Sequence, residues 1–132
     1  MNIKTIIICL GEPNSIFSEI LFKYFSSTKF KKLNKKIVLI GSKNLLTKQM
    51  KKLKYNLHLN EISEIKYSKN KKINIINVEY KFSKIFNKIT NKSNDYIKKC
   101  FDLSFNIIKK NKSIKFINGP ISKKHFLKKK FP

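Results

Sequence analysis

The sequence predicts an α/β fold built from βα units around a largely parallel sheet. Three observations carry this. Four short apolar runs recur along the 132 residues, helix-period segments lie between and after them, and each of the three glycines follows the carboxyl end of an apolar run. The length allows one domain, or a piece of one, that can bury roughly two-thirds of its unfolded surface. At 41% hydrophobic residues the chain is too apolar for a typical disordered tail.

The expected strands are Thr5–Leu10, Ile37–Ile40, Ile73–Val78 and Ile114–Ile117. Between them, Ile16, Ile20, Leu21, Tyr24 and Phe25 share one helical face, and Leu46, Met50 and Leu53 share a second. Ile97, Cys100, Phe101, Ser104 and Ile108 form a third. Ser93 is the expected N-cap of that third helix, with Asp95 well placed in its first turn. A short fourth helix is expected from Ser122, with Ile121 and Phe126 as a hydrophobic staple. Lys31–Lys36 and Tyr67–Lys72 read as solvated connections. Residues 80–92 fit either a helical face or an apolar-studded loop. The sequence shows no internal repeat and no linker.

Charge is extreme, with 31 basic residues against 7 acidic and a formal net charge of +24. That balance fits nucleic acid or an anionic membrane. Yet every basic residue is Lys. Arg, Ala and Trp are absent, while Lys, Asn, Ile and Phe are abundant. The pattern is that of AT-rich coding, with Lys on tolerant surface positions. A nucleic-acid reader would be expected to use Arg, whose planar fork pairs with guanine edges and phosphates. Cys9 and Cys100 read as buried small hydrophobes without metal-type spacing. The first apolar run is too short for a signal-peptide core or a membrane span, so the default is a reduced cytoplasm.

Gly11, Gly41 and Gly119 place sharp turns on one edge of the proposed sheet, where ligands of open α/β sheets bind. Three scattered glycines build neither GxGxxG nor a P-loop. His58 and His125 lack a Cys or carboxylate partner at ligand spacing. The strongest corner is Leu10-Gly11-Glu12-Pro13, where a strand stops and a helix follows. A second is Ile117-Asn118-Gly119-Pro120-Ile121-Ser122-Lys123, with a lysine in the first turn of the expected helix, where free N–H groups and positive potential suit an anion.

The segment Gly11-Glu12-Pro13-Asn14-Ser15-Ile16-Phe17-Ser18-Glu19-Ile20 resembles the amino-terminal signature of the 4-hydroxythreonine-4-phosphate dehydrogenases, GEPAGIGPEI or GDPAGIGPEI. Gly119-Pro120-Ile121-Ser122-Lys123 resembles that family's TGPINK segment, Ile37–Gly41 with Leu45-Leu46 is similar to its second strand and helix, and Phe131-Pro132 resembles the start of FPGHTE. The resemblance implies a partial isocitrate/isopropylmalate dehydrogenase-like fold over residues 1–132, the amino-terminal portion of a longer chain. It implies a homodimeric enzyme that oxidises 4-phosphooxy-L-threonine with NAD on the route to pyridoxal 5'-phosphate, followed by loss of carbon dioxide. A histidine-held divalent metal would polarise the alcohol and then the ketone.

By the same resemblance Glu12 and Lys123 are the expected substrate-pocket residues, and neither His58 nor His125 stands at a family ligand position. No catalytic residue and no metal ligand is expected within the chain, and neither NAD nor a metal is expected to bind it tightly alone. Asn14 and Ser15 replace Ala-Gly, Phe17 replaces a glycine and Ser18 a proline. A phenyl ring at position 17 is expected to obstruct the close approach of ligand or partner backbone that glycine allows. Two rivals accompany this reading. One is a sister dehydrogenase for a four-carbon sugar-acid phosphate such as threonate or erythronate phosphate; the other is a small Lys-rich polyanion-binding module. A degraded paralogue kept for dimerisation or regulation is a third possibility. A sheet lacking further strands is expected to expose an apolar edge and to make the isolated chain poorly soluble.

Overall fold

A computed structural model describes residues 3–122. The expected helix from Ser122, Lys123, His125 and the terminal Phe131-Pro132 therefore lie outside the described residues, apart from Ser122 itself. Five strands form one sheet in the order β3-β4-β2-β1-β5, and every pairing is parallel. The strands are β1 (Thr5–Cys9), β2 (Lys36–Gly41), β3 (Leu59–Glu61), β4 (Ile73–Asn77) and β5 (Lys115–Asn118). The helices are α1 (Phe17–Phe25), α2 (Thr28–Lys32), α3 (Lys43–Leu53) and α4 (Asn94–Lys110).

Alternation along the strands splits the core into two layers, as strand geometry requires. Ile8, Leu10, Ile37, Leu39, Ile73 and Ile75 face α1, α2 and α3, meeting Leu21, Phe22, Phe25, Leu46 and Met50. Ile7, Cys9, Val38, Ile40 and Ile76 face the other way and meet Tyr96, Ile97 and Cys100 of α4. The central strands are buried on both faces, which is why β1 and β2 read as apolar runs rather than alternating ones, and why β4 is apolar apart from Asn74 and Asn77.

The four expected strands are present, each displaced by at most one residue at either end. The parallel sheet is the one the sequence predicts. Two elements were not expected. Strand β3 is three residues long, too short to show a period, and α2 lies partly within the segment read as a solvated connection. Residues 80–92 form a loop ending in a single 3₁₀ turn at Asn91–Ser93, so the loop reading holds. At one sheet edge, β5 leaves Ile117 48% exposed; Ile16, before α1, and Ile20, on α1, are also exposed.

Candidate functional site

Because all strands run the same way, Gly11, Gly41 and Gly119 come together at the carboxyl end of the sheet. The two glycine corners meet directly. The Glu12 N–H donates to the Pro120 carbonyl at 2.8 Å, and the Gly119 N–H donates to the Cys9 carbonyl at 2.6 Å. Gly11 has φ +73°, and a Cβ there would stand 2.5 Å from the Pro120 oxygen. A Cβ on Gly119 would fall onto the Leu10 carbonyl oxygen. Glycine is thus required twice, at Gly11 by backbone conformation and contact and at Gly119 by close backbone approach.

Glu12 is only 4% exposed. One carboxylate oxygen accepts from the Asn14 N–H at 2.9 Å, and the other accepts from the Ser93 hydroxyl at 3.2 Å. Its side chain is therefore turned inward, tying the first corner to the start of α4. This changes the reading of Ser93. It stands at the N-cap position, but its hydroxyl makes no capping bond and is spent on Glu12 and the Thr90 carbonyl. Asp95 does lie in the first turn of α4.

The four departures from the family signature each have a place. Asn14 Oδ1 accepts from the Asn87 N–H at 3.0 Å, pinning the 80–92 loop over this end of the sheet. The Ser15 hydroxyl donates to the Glu12 carbonyl at 3.0 Å and accepts from the Phe17 N–H at 3.2 Å, so it shapes the turn into α1. The Phe17 ring lies against Gly119, its Cδ2 2.8 Å from where a Cβ would stand. A phenyl group thus lies against the second corner. Ser18 is buried on α1.

Three supporting residues went unread in the sequence. Gln49, 1% exposed on α3, donates from Nε2 to the Pro13 carbonyl at 3.0 Å. Ser42 caps α3 by accepting from the Leu45 N–H at 3.1 Å. The Tyr96 hydroxyl accepts from the Ser42 N–H at 2.8 Å. Gln49 carried a signal: it sits four residues after the buried Leu45 on the apolar face of a helix, where a polar side chain needs a specific partner. Burial, and next the neighbouring Cys100, hold the Tyr96 phenol well above its ordinary pKa. Tyr80, its ring tilted 32° against Tyr96 at a centroid distance of 4.6 Å, is also raised, by burial and then by the Glu12 charge. Cys9 and Cys100 are buried and free, as expected, and hydrogen-bond to each other, which lowers the Cys9 thiol and raises Cys100.

His58 is exposed just before β3. Among the described residues no group of three or more His, Cys, Asp or Glu side chains stands together as a metal site. The described residues therefore offer no donor set for a divalent metal. The cavity beside the first corner is only about 10 Å³.

Comparison with solved structures shows what this arrangement is similar to. A 4-hydroxythreonine-4-phosphate dehydrogenase from Burkholderia phymatum matches 95% of the chain with a TM-score of 0.81 at 12% identity. The Klebsiella pneumoniae dehydrogenase of the same name matches 92% with a TM-score of 0.79 at 16% identity. A Salmonella typhimurium protein assigned that activity matches 92% with a TM-score of 0.78 at 20% identity. The chain has the fold of part of these dehydrogenases. It spans 38–39% of the length of those three chains. No family model matches the sequence, and no curated protein matches it. At such low identity the dehydrogenase likeness establishes architecture, and the α/β fold expected from the sequence is the one observed. No helix among the described residues is long and apolar enough to cross a membrane.

Proposed function

We propose that this chain is part of a 4-hydroxythreonine-4-phosphate dehydrogenase-like enzyme and supplies two corners of its substrate pocket. The observation that carries this reading is the junction of the two signature segments through the Glu12 to Pro120 hydrogen bond, 108 residues apart in the chain. In this reading Glu12 braces the pocket from beneath, engaged as it is with Asn14 and Ser93. Lys123, five residues beyond the end of β5, offers its ammonium to the substrate's anionic groups. NAD would accept the hydride, and the residues that hold NAD, the metal and the substrate phosphate would come from outside these 132 residues. The enzyme would be a cytoplasmic homodimer acting on a small phosphorylated acid. The lysines would be surface residues rather than a nucleic-acid site.

The test is NADH formation from 4-phosphooxy-L-threonine by the longest natural polypeptide that contains this sequence, with threonate and erythronate phosphates as competitors. Oxidation of the threonine derivative, lost in Lys123→Ala, supports the reading. Preference for a sugar-acid phosphate moves the assignment to the sister enzyme. A folded polypeptide that oxidises none of the three contradicts it. Because Phe17 crowds the second corner, Phe17→Gly is expected to raise activity several-fold. The 132-residue chain by itself is expected to form no NADH.

A further inference from the structure

Behind the first corner, between α1 and α3, lies the cavity of about 10 Å³, with Leu10, Glu12, Pro13, Ser18, Leu46 and Gln49 among its walls. Two buried side-chain oxygens on these walls, Ser18 Oγ and Gln49 Oε1, have no hydrogen-bond partner. Ser18 is 7% exposed and Gln49 1%. The Gln49 amide is oriented by its Nε2 bond to the Pro13 carbonyl, which leaves Oε1 as a lone acceptor. Buried polar atoms left unmatched are rare in folded proteins and call for a partner.

We infer that this cavity binds one internal water molecule, shared by the Ser18 hydroxyl and the Gln49 side-chain carbonyl. The volume matches a single water, which needs roughly 10–15 Å³ by this measure and two to four polar partners. The water donates one hydrogen to Gln49 Oε1 and exchanges a second bond with Ser18, which can donate or accept. A hard metal cation is a poorer occupant, since it asks for about six to eight oxygen ligands where two neutral oxygens are unmatched. The water links α1 to α3 beneath the Gly11-Glu12-Pro13 corner. Gln49 then acts as a positioning residue, held on one side by the water and holding the Pro13 carbonyl on the other.

A high-resolution crystal structure of the full chain tests it. The expected result is one oxygen within about 3 Å of both Ser18 Oγ and Gln49 Oε1. A direct Ser18–Gln49 hydrogen bond, a dry cavity, or a cation with extra ligands overturns it. In solution, the Gln49 side-chain amide should show a cross-relaxation peak to slowly exchanging water. That peak should vanish in Ser18→Val, whose methyl groups take the space. The same peak at full strength in a folded Ser18→Val chain contradicts the proposal.

Discussion

The two ends of the sheet are closed by different devices. At the amino end a single residue does most of the work. Asn74, fully buried on β4, donates from Nδ2 to the carbonyls of Ile37 and Lys69 at 2.8 and 2.9 Å. Its Oδ1 accepts from Asn60 Nδ2 and the Lys69 N–H at 2.9 and 3.0 Å. One side chain thereby fixes the Tyr67–Lys72 connection to two strands. At the carboxyl end no single residue dominates. Glu12, Asn14, Gln49, Ser93 and Tyr96 each make one or two bonds, joining segments 36 to 81 residues apart. The amino end is a plug, completed by near neighbours in space and largely in sequence. The carboxyl end is an assembled surface, with two backbones pressed together and its side-chain bonds spread over several distant segments.

The largest break in that contrast should come from Gly119→Ala. Its Cβ meets the Leu10 carbonyl oxygen, and neither backbone can yield without parting the corners. Denaturant unfolding should show a loss of about 3 kcal/mol or more. Asn74→Ala comes next, at about 2–4 kcal/mol, because it strands several buried backbone groups at once. Hydrogen exchange should show its damage confined to residues 60–74. Gly119→Ala should instead loosen residues 12, 87 and 93 together. Equal spread of the two effects would remove the distinction between plug and assembled surface.

Tyr96→Phe is expected to cost about 1–2 kcal/mol by stranding the buried Ser42 N–H. It also tests the alkaline limb. A phenol ordinarily titrates near about pH 10, and in the fold burial keeps Tyr96 protonated beyond that. The stabilisation is therefore complete below about pH 10 and is lost as pH rises further, because the unfolded chain releases a proton the folded chain retains. Melting curves should fall steeply above about pH 10 in the native chain and less steeply in Tyr96→Phe. The smallest effect is expected of Ser93→Ala. It removes one hydrogen bond to Glu12 while the Asn14 N–H remains, and should cost about 1 kcal/mol by the same denaturation measurement.

Much of the fold was legible because buried parallel strands write themselves as apolar runs; β1 and β2 do so, and β4 is apolar apart from Asn74 and its terminal Asn77. The glycines were legible as an edge for a related reason, since tight backbone approach leaves few alternatives to glycine. Three-residue β3 was not legible because it carries too few residues for a period, and five-residue α2 was hidden by its lysines. Residues 80–92 looked ambiguous because Tyr80 and Phe82 serve a loop that packs over Tyr96 rather than a helix face. Of the candidate site, Glu12 was found through its corner, but its inward orientation was not, because that depends on Ser93, 81 residues away. Gln49 and Tyr96 were missed as they lie on helix faces that read as apolar core. Ser93 showed the general difficulty: a serine before a helix looks like a cap whether or not its hydroxyl is claimed elsewhere.

The central claim is that the Gly11-Glu12-Pro13 and Gly119-Pro120 corners form one structure. Amide hydrogen exchange of Glu12 and Gly119 tests it most directly, since their N–H groups are donated to Pro120 and Cys9 across the junction. The account predicts that both amides exchange as slowly as those paired between β1 and β2, and that both are released together in Gly119→Ala. Rapid exchange of Glu12 and Gly119 while the β1–β2 amides stay protected would contradict it.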